Sequence, residues 1–154
     1  GRLRQLISTK ERTALEHKME ANTNRELTKE EIKNCEGLIY LTWDMFDSPD
    51  SPGSGYNFME REPVIILDEV VKRTRRFIHI ERAYLSKTMA DKQGLPTNSS
   101  HRVGKAIQMR VVGPKKRMDI IKHLCSLGVT RIAVGRESIY FDTDSLKKDG
   151  FMLW

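Results

Sequence analysis

The stretch from Pro114 to Asp142 constrains the fold of this chain more than any other. Pro114 stands at a first helical position and Gly128 just past the last turn, while Met118, Ile121, Leu124 and Cys125 recur between them at helical spacing. An amphipathic helix is predicted there. Two short β-prone runs follow at once, Arg131 to Val134 and Ser138 to Asp142, on either side of Gly135-Arg136-Glu137, and they predict a hairpin. A helix that feeds directly into a ribbon belongs to an α+β domain with a small, antiparallel-leaning sheet flanked by helices.

The rest of the chain fits that class. From Glu60 to Arg76, Pro63, Ile66, Leu67, Val70 and Val71 recur at helical spacing, and Lys72, Arg73, Arg75 and Arg76 crowd the end, where cations suit the helix dipole. Phe77 to Ile80 predicts a strand, residues 81–100 a polar loop, and Ala106 to Val112 a second strand. Leu38 to Trp43 is a short β-prone run that leads into Asp47 to Gly55, a loop dense in Pro, Gly, Ser and Asp. Residues 1–36 are expected to form a helical extension, with one helix from Arg2 to about Asn22. A second starts at Thr28, where Thr28-Lys29-Glu30-Glu31 has capping-box form and Gly37 supplies a stop. Residues 37–154 then make up the domain proper.

Composition excludes several classes. A chain of 154 residues with 38% apolar and 31% charged side chains has room for one packed domain plus a short extension. No apolar run approaches the roughly 20 residues of a membrane span, so no membrane insertion is expected. Gly1 to Glu20 alternate charges with single apolar residues, which predicts a helix rather than a signal peptide. Cys35 and Cys125 are far apart and in no C-x-x-C arrangement, so two small core residues are expected, not a disulfide or a thiolate metal knuckle. A net charge of +6 favours an anionic neighbour such as nucleic acid, an anionic surface or an acidic protein.

Four ordered blocks carry a resemblance. They are Phe46 to Gly55, Asn98-Ser99-Ser100-His101-Arg102-Val103-Gly104-Lys105-Ala106, Gly128 to Gly135, and Ile139 to Asp144. Together they resemble the phage-type zinc D-Ala-D-Ala carboxypeptidase family, of the Hedgehog/D,D-peptidase fold, over about residues 38 to 154, with S-x-H-x-x-G-x-A as the specific element. The resemblance implies a D,D-peptidase-like domain in which His, Asp and His hold zinc and a bound water attacks a peptidoglycan stem peptide. His101 matches the first ligand position. The Asp expected seven residues later is Gln108, and the His expected before the last strand ends is Tyr140. The family's Ser-Gly-Tyr-Arg turn, whose Arg holds the substrate carboxylate, is Arg82-Ala83-Tyr84-Leu85 here, and Leu85 carries no charge. Glu137 stands where some relatives place a catalytic acid, and Asp142 and Asp144 form a D-x-D that retained scaffold explains as well as a cation would.

A neutral amide and a phenol are poor zinc ligands. The expectation is therefore a degenerate site, with His101 the one retained ligand, Glu137 and Asp142 as relics, and no cofactor. Its function would be that of a non-catalytic peptidase-fold domain, a structural or binding component of a phage particle or phage-encoded assembly with protein partners, located in the virion or the host bacterial cytoplasm. The alternatives are a divergent zinc peptidase acting on peptidoglycan and a basic nucleic-acid-binding module. His79 is expected to face solvent or the loop side. His17 and His123 lie on predicted helices and carry no pattern of their own.

Overall fold

The computed structural model describes residues 26–154. The predicted helix from Arg2 to about Asn22, with His17, lies outside the described residues. The first described helix, α1 (Lys29–Lys33), opens on the expected capping box: the Glu31 amide donates to Thr28 Oγ1 at 3.1 Å and the Thr28 amide to Glu31 Oε1 at 3.3 Å. A helix of this length needs tertiary support. Trp43 gives it, donating from its indole Nε1 to the Glu36 carbonyl at 2.8 Å and from its amide to the Asn34 carbonyl at 2.8 Å.

The β-prone run Leu38 to Trp43 forms no strand. Its amides are taken instead by one side chain, as Asp68 accepts from Ile39, Tyr40 and Leu41 at 3.0, 2.8 and 2.9 Å. A carboxylate on a neighbouring helix thus stands in for a sheet partner and keeps the backbone donors satisfied. A 3-10 turn, Trp43–Phe46, leads into the Pro- and Gly-rich loop, where the Asp47 carboxylate accepts from the amides of Gly53 and Gly55 at 3.0 and 2.7 Å. The short helix α2 (Ser54–Phe58) starts inside that loop. Gly55 is required there, because a Cβ on it would lie 2.2 Å from the Trp43 carbonyl oxygen.

Helix α3 (Arg61–Thr74) buries Val64, Leu67, Val70 and Val71 and ends on Arg75, which adopts a left-handed conformation with φ 55°. Strand β1 (His79–Arg82) begins two residues later than the sequence predicts and leaves His79 exposed. The stretch expected as polar loop contains helix α4 (Lys87–Lys92), capped by Ser86, whose Oγ accepts from the Met89 amide at 3.2 Å. After a second 3-10 turn, Ser100–Val103, come β2 (Ala106–Arg110), α5 (Pro114–Ser126), β3 (Arg131–Val134), β4 (Ser138–Asp142) and β5 (Gly150–Leu153).

The five strands lie in the order β1-β2-β4-β3-β5. All neighbours are antiparallel except β3 and β5, which run parallel, so the domain is α+β with a mixed sheet. Strand β5 was not foreseen: Phe151-Met152-Leu153 is too short and uniformly apolar to show alternation, and its partner β3 is fixed only in three dimensions. Ile107 and Met109 of β2 and Ile139 and Phe141 of β4 meet Val64, Leu67, Ile120 and Leu124 in one core.

The apolar stripe of α5 is phased differently from the sequence expectation. Ile120 and Leu124 face the core, whereas Met118 is 68% exposed and Cys125 is exposed rather than buried. Cys35 is half-buried, so neither cysteine is a core residue. Among the described residues no helix is long and apolar enough to cross a membrane.

Candidate functional site

The 3-10 turn that carries His101 is wedged against the end of α2. Ser99 Oγ accepts from the His101 amide at 3.3 Å, and Gly104 closes the turn at φ +69°. A Cβ at Gly104 would sit 2.0 Å from the Phe58 carbonyl oxygen, so the backbone there passes where only glycine fits. His101 itself is 3% exposed, and its Nδ1 lies 2.7 Å from the Ala83 carbonyl. That contact places the proton on Nδ1 and leaves Nε2 as the ring's acceptor. Burial pushes the imidazole down to about 4; the Ala83 contact opposes it and the Arg82 charge adds to it. The ring is neutral at physiological pH.

Strand register brings the other two positions to the same place. Gln108 of β2 lies directly across from Tyr140 of β4, and on its other side from Arg82, which a bulge in β1 sets into that row. The His101 and Tyr140 rings meet edge to face with centroids 5.5 Å apart. Gln108 and Tyr140, singled out from the sequence by the resemblance, are thus neighbours on the sheet face opposite the core, and His101 packs against Tyr140 from the 3-10 turn.

Of these, Tyr140 enters a hydrogen-bond network with buried carboxylates. The Tyr140 hydroxyl donates to Asp142 Oδ2 at 2.5 Å, while Asp142 Oδ1 accepts from Arg131 Nε at 2.7 Å and from the Asp144 amide at 3.1 Å. Ser100 Oγ in turn donates to Asp144 Oδ2 at 2.8 Å. The Asp142 side chain is fully buried, and Arg131 supplies the counter-charge that makes this tolerable. Burial, reinforced by the bond to Asp142, pushes the Tyr140 phenol above its ordinary value, so it stays protonated.

Leu85 is 1% exposed and its amide donates to the His101 carbonyl at 3.0 Å, so an apolar side chain fills the position at which the resemblance expects a carboxylate-binding Arg. Tyr84 stacks on Phe58 with centroids 5.1 Å apart. Glu137 lies in the β3–β4 turn, where its carboxylate pairs with Arg110 at 3.0 Å on an exposed surface. Asp142 and Asp144 also border a recess of 270 Å³ with Glu62, Asp149, Arg131 and Lys147, so four carboxylates there meet two cations.

Zinc does not fit this set. Among the described residues no group of three or more His, Cys, Asp or Glu side chains is placed to hold a metal ion. Of the three positions, His101 offers a neutral nitrogen, Gln108 an amide, and Tyr140 a phenol whose proton is committed to Asp142. Around the imidazole the Arg82 and Lys147 charges disfavour an added cation while the Asp142 charge favours it, so the surroundings supply no net anionic cradle of the kind a dication needs.

Arg131 was missed in the sequence, although a signal was present. In the predicted hairpin, pairing Val134 with Ile139 sets Arg131 opposite Asp142, and Ile132 does pair with Phe141 in that register. Asp68 gave no such signal, because its partners lie 27 to 29 residues away. No protein-family model matches the sequence, and no curated protein is similar enough to count as a relative.

Proposed function

We propose that this chain is a non-catalytic domain of the D-Ala-D-Ala carboxypeptidase fold, serving as a structural or binding component of a larger assembly such as a phage particle. One observation carries the reading. The position expected to hold the last zinc-binding His is Tyr140, whose hydroxyl is bound to the buried carboxylate of Asp142, which is itself neutralised by Arg131. The Tyr140 hydroxyl is committed to Asp142, and Leu85 carries no charge to anchor a substrate carboxylate. A fold can outlast its chemistry in this way, since the scaffold depends on core and turns and the reaction on a few polar groups.

The test has two arms. The purified full chain is assayed for bound zinc and for release of D-Ala from a D-Ala-D-Ala peptide; the expected result is neither, and stoichiometric zinc with cleavage overturns the proposal. The double variant Gln108→Asp/Tyr140→His should bind zinc with a rise in Tm, since a ligand that binds only the native state stabilises it. A folded double variant that ignores zinc shows that these positions never formed a ligand set.

A further inference from the structure

Lys72, Arg73, Arg75 and Arg76 at the end of α3 and Lys115-Lys116-Arg117 at the start of α5, two basic clusters about forty residues apart in sequence, are brought side by side by the packing of the two helices. Arg76, beyond the end of α3, pairs with Asp119 of α5 at 3.1 Å; Arg73 Nη1 reaches Ser126 Oγ at 3.4 Å, and Lys116 Nζ donates to the Phe77 carbonyl at 2.9 Å. These contacts stitch the helices together and leave Lys72, Lys115 and Lys122 exposed, with no ion pair among the described residues. Arg76, Lys115, Met118, Asp119 and Lys122 line a shallow recess of 390 Å³ between the clusters.

Among the described residues, Glu69 and Asp119 are the carboxylates that pair with the cations of this face. Glu69 is occupied by Arg73 at 3.0 Å, and Asp119 is shared between Arg76 and His123. Lys115 and Lys116 lie in the first turn of α5, where the helix dipole is itself positive. Like charges gathered against the dipole destabilise the free protein slightly, and an anion laid across them relieves that cost.

We infer that the joint face of α3 and α5 binds the phosphodiester backbone of a nucleic acid strand, independently of its sequence. The chemistry favours a strand over a membrane. The cations sit on two packed helices and spread along about two turns of α5, from Lys115 to Lys122, which spans about 10 Å and can engage successive phosphates. A surface that enters lipid needs an apolar ridge beside its cations, and Met118 is the single large apolar side chain lining the recess. This role does not depend on the former zinc site, which occupies the opposite face of the sheet.

The experiment is fluorescence anisotropy of the full chain with a labelled 20-nucleotide single-stranded oligonucleotide. With about four phosphates neutralised, the affinity should fall roughly fifty-fold between 50 and 200 mM salt. The variant Lys115→Glu/Lys122→Glu should lose tenfold or more in affinity and show a shallower salt slope. Lys87→Glu/Lys92→Glu, the same charge change on α4, should lose less than threefold. Circular dichroism establishes that both variants are folded. Equal losses in the two variants would mean net charge alone acts, and would overturn the assignment. So would tight, salt-insensitive binding, no binding at 50 mM salt, or binding to phosphatidylglycerol vesicles without binding to the oligonucleotide.

Discussion

Replacing His101 by Gln should flatten the pH dependence of stability between pH 7 and 5. The imidazole titrates at about 4 in the folded protein because burial disfavours its charged form, against about 6.5 in an unfolded chain. Between those values the unfolded state binds the extra proton, so stability rises with pH. The contribution is complete above about pH 6.5 and is lost as the pH falls toward 4. The whole difference is about 3 kcal/mol, of which about 2 kcal/mol has gone by pH 5. Urea denaturation of both proteins at several pH values measures it. Carboxylate effects are shared and cancel in the comparison, and any fixed cost of losing the ring's packing moves the variant's curve without bending it. If both lose the same stability between pH 7 and 5, His101 is not buried as a neutral ring, and the contact with Ala83 does not hold it.

Other substitutions test the rest of the framework. Asp68→Ala leaves the amides of Ile39, Tyr40 and Leu41 without their acceptor and should cost at least about 3 kcal/mol by urea titration, with Asp68→Asn costing less. Arg131→Met strands the buried charge of Asp142 and should cost about 2–4 kcal/mol, reduced in a double variant with Asp142→Asn. Gly104→Ala places a methyl group against the Phe58 carbonyl and should unfold at clearly lower temperature by calorimetry. Glu137→Gln, which touches only an exposed ion pair, should change stability by less than about 0.5 kcal/mol.

Local signals were legible wherever neighbours in sequence are neighbours in space. The capping box at Thr28, the helix bracketed by Pro114 and the turn around Gly135 all rest on contacts within a few residues, and all three formed. Failures occurred where burial is assigned by distant partners. Met118 and Cys125 looked like core residues because apolar spacing fixes a helical period but not which side of it meets the sheet. Leu38 to Trp43 looked like a strand, and the Asp68 carboxylate took the hydrogen bonds that a strand would have made.

By itself the sequence determined that three positions of the resembled site, Leu85, Gln108 and Tyr140, carry the wrong chemistry for zinc and a carboxylate, since ligand chemistry is a property of the side chain. Only the tertiary structure decided what replaced it. Register set Gln108 against Tyr140, hairpin pairing set Arg131 against Asp142, and helix packing joined two basic clusters into one face. Electrostatic and hydrogen-bond energies depend on distance and burial, and a chain acquires both only when it folds.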